Sequence, residues 1–325
     1  MAIIYRLNLW LKKNLLVYKV TNYIKGRHIR ALYKKVCTSS TAGERTVIYM
    51  ADGLIKHGGL CDRIWGMVSA YNYFKKTKLS YKIHFCHPYH LTEYLLPNRY
   101  DWKYSGGIIR SAKFSKSFYV GDTLNETNVL NAFSNICKRQ FMQSHLYTNV
   151  HIYRDEFSRS FNELFKPSEA LTHEIEHQLQ SIGDKYISVS FRFRNAFGDL
   201  NEPDSLPLRQ EQQRKLTEEC LKCIKNIHNL HPGYKKILLT CDSKIFIERA
   251  KDLDYIYVIP GEISHVDFDQ KELFRSQLKT FLDLFMLSKS EEIYYVVSNL
   301  TYHGSFAYTA SLIGNRPYHI EQIQI

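Results

Sequence analysis

No apolar run in this sequence is long enough to cross a bilayer as a helix. The most apolar N-terminal stretch is broken by Lys12-Lys13, well short of the roughly 20 residues that a span needs. The same break disfavours a secretory signal peptide. There is no internal repeat and no low-complexity tract. The seven cysteines (37, 61, 86, 137, 220, 223, 241) are odd in number and irregular in spacing. Without an export signal they read as reduced cytosolic thiols, not as a disulfide framework. Cys220-x-x-Cys223 has no second pair and sits in a helical pattern, which argues against a structural zinc site. Acidic residues are scarce at the N-terminus. Residues 1 to 45 hold ten Lys/Arg against Glu44 alone, which is +9 of the net +12. The rest of the chain is nearly neutral and carries no basic stripe, so nucleic acid is excluded as a partner.

What is there begins with that leader, residues 1–45. Ile4, Leu7, Leu11, Leu15 and Tyr18 fall on one helical face, with Arg6 and Lys13 opposite. A basic amphipathic segment suits the anionic inner face of a membrane, lying on it and not crossing it. It equally suits a helix packed against the body with its charges solvated. The expected location is cytoplasmic, peripheral to the membrane under the first of these readings.

The remaining length fits two domains, here 46–175 and 176–325. "TVIYM" reads as a buried strand, Gly58-Gly59 as a turn, the segment from Ile64 as a helix and "YKIHF" as a second strand. That is a βαβ unit, and parallel sheets bind ligands at the carboxyl ends of their strands. Between 88 and 165, "HLTEYLLP", "NVLNAFSNICKRQF" and "RDEFSRSFNELFKPS" look helical, with few strands between. From about 176, "YISVSFRF", "KKILLT", "YIYVI" and "EIYYVVS" alternate with helices, and "RPYHI" forms a last short strand. The alternation predicts a second doubly wound α/β domain.

Three strand-to-helix corners of that second domain carry polar groups. In "YISVSFRF", Ile187, Val189, Phe191 and Phe193 share one face, and Ser188, Ser190, Arg192 and Arg194 the other. Two arginines at a strand end are expensive to cover unless an anion pairs with them, and a diphosphate does so bidentately. The other reading is a bridge from the arginines to Asp199, Glu202 or Asp204. At "LLTCDSKIF", Asp242 and Ser243 follow a strand, where they can accept from a nucleotide's ribose or base or cap the next helix. At "SNLTYHGSFAYTASLIG", His303-Gly304-Ser305 opens a helix whose N–H groups and Ser305 hydroxyl suit phosphate oxygens.

These residues also resemble a family. "GGLCDRIWGMVSAY" is similar to the "GG-L-G-D-R-x-x-G" turn of the fucosyltransferase superfamily, which includes the α-1,2-, α-1,6- and nodulation fucosyltransferases. "VSFRFRNAFGD" resembles its "H-x-R-x-x-D" strand-end motif, and "TCDS" and "HGSFAYTASLIGNRPY" its two later nucleotide-side motifs. Order and spacing match across 46–325. Cys61 stands where the family has glycine. The histidine of the arginine motif is absent, its place taken by Ser190 or Arg192 according to register. The resemblance implies a GT-B fold, two facing Rossmann-like α/β domains with a cleft between them. It implies an inverting, metal-independent glycosyltransferase with no cofactor. The donor would be GDP-fucose or another nucleotide sugar, and the acceptor a glycan or lipid-linked glycan. The implied donor-side residues are Ser190, Asp242, Ser243, His303, Gly304, Ser305 and Phe306, with Arg192 or Arg194 on phosphate. The implied base is Glu202 or Asp199. His57, Gly58, Gly59, Asp62 and Arg63 fall on the acceptor side, with His57 a further candidate base. No D-x-D segment suited to a metal–diphosphate is present.

Overall fold

The computed structural model describes residues 27, 29, 31–33, 44–55, 57–121, 125–183, 185–200, 205–261 and 273–325. They divide into two α/β units, one formed by residues up to 91 with 96–166, the other by 92–95 with 167–325. The expected boundary at 175/176 falls inside a helix, Glu169–Ile182, that belongs wholly to the second unit.

In the first unit β1 (Thr46–Ala51) leads through α1 (Leu60–Phe74) to β2 (Ser80–Phe85). This is the βαβ unit read from the sequence. After β3 (Leu95–Pro97) come β4 (Ser115–Val120), α2 (Glu126–Cys137), β5 (Gln143–Thr148) and α3 (Phe157–Leu164). The main sheet runs β2-β1-β5-β4 with every pairing parallel. Central parallel strands are covered on both faces, so β1 reads as one apolar run. At Gly66 a Cβ would collide with the Thr148 carbonyl, so α1 crosses β5 at the distance only glycine permits.

Two expectations change here. "HLTEYLLP" is not a helix but a 3₁₀ turn at Leu91–Glu93 followed by β3, which pairs with β6 (Phe165–Pro167). Strands β4 and β5 occupy a region that read as having few. They are polar in sequence, and the buried Ser144 and His145 of β5 hide the apolar signal.

The leader's expected apolar face lies outside the described residues. Its described part, within 27–33, is helical and buries Ile29 and Tyr33 against Ile48, Met50 and Tyr147. The Tyr33 hydroxyl meets the imidazole of buried His145. This stretch is part of the first unit's core.

The second unit runs α4 (Glu169–Ile182), β7 (Ile187–Ser190), α5 (Gln210–Leu230), β8 (Ile237–Thr240), α6 (Lys244–Ala250), β9 (Ile256–Tyr257), α7 (Leu273–Lys289), β10 (Ile293–Val297), α8 (Phe306–Gly314) and β11 (Tyr318–Gln322). The sheet order is β11-β10-β7-β8-β9, all parallel. The chain moves outward from β7 through β8 to β9, then returns to place β10 on the other side of β7. That is the Rossmann order, and its switch point lies between β7 and β10. α5 turns Leu216, Cys220, Cys223, Ile224 and Ile227 into the core. Cys220 and Cys223 are therefore core side chains, and burial pushes both thiols up, Cys223 to about 11. Among the described residues no helix is long and apolar enough to cross a membrane.

Candidate functional site

At the carboxyl end of β7 the backbone stays extended for three more residues. Phe191 and Phe193 enter the core against Phe246, with ring centroids 5.0 and 4.9 Å away. Arg192, between them, points to the other face and pairs with Asp242, which follows β8. The Asp242 carboxylate also accepts the Phe193 and Arg194 N–H groups at 2.7 and 2.8 Å. Its burial raises its pKa, with Arg192 and the two amides opposing that rise. Arg194 takes φ +56, a left-handed conformation that is strained for an arginine and is held here by the hydrogen bond that its backbone N–H donates to Asp242. The Arg194 guanidinium carbon lies 5.0 Å from the Tyr302 ring centroid.

Asp242 is thus the anchor of the arginine corner. It was expected to accept from a ribose or base, but its two oxygens are spent on Arg192 and two amides. Ser190 is corrected likewise: it is 4% exposed, and its oxygen accepts from the Thr240 hydroxyl at 3.0 Å. Ser243 caps α6, accepting the Phe246 N–H at 3.1 Å. Asp199 joins the same cap, accepting the Ser243 hydroxyl at 2.8 Å and the Ile245 N–H at 2.9 Å. That oxygen serves the helix end, while Oδ1 is buried without a hydrogen-bond partner among the described residues. Glu202 lies outside the described residues.

The third corner leaves β10 and enters α8. The Tyr302 N–H donates to the Arg192 carbonyl at 3.0 Å, which ties the two corners across the switch point. A Cβ on Gly304 would stand in ordinary contact with Arg192 Cγ, at 3.5 Å. The Gly304 N–H is not available to a ligand, because it donates to the Tyr295 hydroxyl at 2.7 Å. His303 is exposed, and Ser305, at the N-cap, makes no side-chain capping bond. Phe306 begins α8, half-buried. Arg192, Arg194 and residues 302–306 therefore meet at the switch point of one sheet.

Tyr295 and Tyr302 escaped the sequence reading. A signal existed for Tyr295: a tyrosine in a central parallel strand buries its ring yet needs a partner for its hydroxyl.

The glycine turn of the first unit is built differently. Gly58 has φ +80, and a Cβ on it would stand 2.5 Å from Asp62 Oδ2. That carboxylate accepts the Gly59 N–H at 3.2 Å, closing the start of α1. Its other oxygen is 3.3 Å from Nε2 of His151, whose ring stacks on Trp65 at 4.8 Å. Arg63 is buried and donates to the Gly58 and His87 carbonyls at 3.1 and 3.0 Å. His57 is 3% exposed, and burial pulls its pKa down to about 4. His57 and Arg63 were expected on a ligand-facing surface and are instead interior. Asp62 and Gly59 stay half-exposed.

No family model and no curated protein sequence matches the chain. Solved structures do. The fucosyltransferase NodZ from Bradyrhizobium is similar at a TM-score of 0.54 and 12% identity, over 84% of this chain and 93% of that one. NodZ α-1,6-fucosyltransferase soaked with GDP-fucose gives 0.51 and 13%, over 83% and 93%. The same enzyme co-crystallised with GDP gives 0.51 and 14%, over 84% and 93%. With a parallel sheet in each unit, the chain has the GT-B-like α/β fold of these fucosyltransferase structures.

Proposed function

We propose that the chain is an inverting, metal-independent glycosyltransferase. Its donor is a GDP-sugar, first of all GDP-fucose, and its acceptor a glycan or lipid-linked glycan of a surface polysaccharide or glycoconjugate. The observation that carries this reading is the meeting of Arg192, Arg194 and the start of α8 at the switch point of a Rossmann-ordered sheet. The NodZ structures with GDP and GDP-fucose supply the ligand class. A sugar leaves a diphosphate readily when cationic and N–H groups absorb the growing negative charge. Arg192 is held in place by Asp242. Glu202 or Asp199 is the proposed base for the acceptor hydroxyl; Asp199 has one oxygen at the α6 cap and the other without a hydrogen-bond partner among the described residues.

The deciding experiment is turnover across a panel of GDP-, UDP- and CMP-sugars, with GDP binding followed by calorimetry. Release of GDP from GDP-fucose is expected, and turnover of a UDP-sugar alone would sink the fucosyl reading. Arg192→Ala and Arg194→Ala should each lower turnover by about 10²–10³. Glu202→Gln should slow transfer with GDP affinity retained.

A second reading, a nucleotide-binding protein without transfer, draws on one observation: Asp199 and Asp242 are both engaged inside the protein. GDP binding with no turnover of any sugar nucleotide in the panel would favour it. The basic N-terminal segment is proposed to rest on the anionic cytoplasmic face of a membrane. Removing residues 1–25, which spares Ile29 and Tyr33, should abolish sedimentation with acidic vesicles.

A further inference from the structure

One side chain holds residues 302 and 304 of the loop that enters α8. Tyr295 lies on β10 with its ring buried, 6.4 Å from that of Tyr318. Its hydroxyl donates to the Tyr302 carbonyl at 2.6 Å and accepts the Gly304 N–H at 2.7 Å. A phenol donates one hydrogen bond, and this one is given to the near end of the segment while the oxygen receives the far end. His303 is left exposed at the tip between them. Burial raises the phenol's pKa, so it keeps its proton and its donor role at ordinary pH. The segment's other tie is the Tyr302 N–H to the Arg192 carbonyl. A Cβ at Gly304 would stand 3.7 Å from the Tyr295 oxygen and 3.5 Å from Arg192 Cγ. The Tyr295 hydroxyl and the Tyr302 N–H bond to the Arg192 carbonyl thus together hold residues 302–304 beside the arginine corner.

We propose that Tyr295 is a positioning residue for the diphosphate site, its hydroxyl pinning residues 302–304 against Arg192 so that the arginines and α8 present to one phosphate group together. The proposal rests on the nucleotide reading above. Without the hydroxyl, the Gly304 N–H and the Tyr302 carbonyl lose their partners, and the loop is free to seek others. The arginines keep their anchor on Asp242, so the loss falls on the register between the two corners.

The test is GDP binding by calorimetry on the full chain, comparing wild type, Tyr295→Phe and a matched control, Tyr186→Phe. Tyr186 is an equally buried tyrosine of the same unit whose hydroxyl donates to the Met286 carbonyl at 2.7 Å. It precedes β7, at the opposite end of the sheet from the corners. Tyr295→Phe loses two hydrogen bonds and Tyr186→Phe one, so both melting temperatures should fall, that of Tyr295→Phe further. In Tyr295→Phe the GDP Kd should rise about tenfold, whereas Tyr186→Phe should bind as wild type does. Wild-type affinity in Tyr295→Phe, or equal weakening in Tyr186→Phe, overturns the positioning role and leaves the nucleotide reading standing. Failure of the wild type to bind GDP overturns that reading and this proposal with it.

Discussion

The two units each place an aspartate at a corner following a parallel strand, and they use it to opposite ends. In the first, Asp62 closes the turn that starts α1, and the neighbouring Arg63 and His57 are buried. In the second, Asp242 is buried, and what it holds are two arginines of intermediate exposure. The Asp62 carboxylate stays half-exposed, whereas that of Asp242 is nearly covered. The further difference is whether the carboxylate's partners end inside the protein or carry charge to its surface. Presence of polar residues at a strand end therefore says little until their hydrogen bonds are followed.

The largest effect should come from breaking the second corner. Asp242→Ala leaves Arg192 without its carboxylate and strips two amides of their acceptor. Removing one partner of a buried pair costs about 3–5 kcal/mol. Asp62→Ala removes a half-exposed helix-start acceptor, for about 0.5–2 kcal/mol. Urea unfolding of the two variants measures the contrast, and equal losses would erase it. GDP binding should vanish only in Asp242→Ala.

The next effect concerns the N-terminal segment. Ile29 is 1% exposed and packs on the first unit's sheet, so Ile29→Ala should cost about 2–5 kcal/mol. GDP affinity of the folded variant should stay unchanged, because the residue belongs to the unit without the arginine corner. A stability equal to wild type would return residues 27–33 to the role of a detachable leader.

Acid should also separate the units. Burial lowers the pKa of His57 from 6.5 to about 4 and that of His145 to about 3. The unfolded chain then binds protons that the folded chain refuses. The stability gained from a neutral His57 is complete above pH 6.5 and is lost as pH falls from 6.5 to about 4. One such proton changes stability by about 1.4 kcal/mol per pH unit within that window. His57→Gln should flatten the slope measured by urea midpoints, and an unchanged slope would place the acid sensitivity elsewhere.

Much of the fold was legible because parallel strands are continuous apolar runs. "TVIYM", "KKILLT" and "EIYYVVS" could hardly be anything else, and the helices between them kept their period. β5, "QSHLYT", was not legible. Its Gln143 and His145 are buried because they bond each other at 2.8 Å and reach Tyr104 and Tyr33, partners far off in sequence. The candidate site divides in the same way. The arginines and the His303–Ser305 corner were visible as residue types at strand ends. The roles of Asp242 and Asp199 were not, because each is decided by partners more than forty residues away.

The smallest effect distinguishes two adjacent glycines. Gly58 is required by the chain itself: φ is +80, and a Cβ would meet Asp62 Oδ2 at 2.5 Å. Gly58→Ala should therefore cost about 1–2 kcal/mol, the ordinary penalty for a side chain in the left-handed region. Gly59 has φ −66 and ψ 177, which any residue adopts, and its Cβ position meets nothing within 4 Å. Nothing in the folded chain asks for glycine there. Gly59→Ala should leave stability unchanged or raise it by about 0.4–1 kcal/mol through the unfolded state. The informative result is the pairing of thermal melts with turnover. If Gly59→Ala melts at or above wild type but transfers sugar more slowly, the open space beside Gly59 is where an acceptor approaches the backbone. If both measurements match wild type, the first unit's turn is a helix start and nothing more.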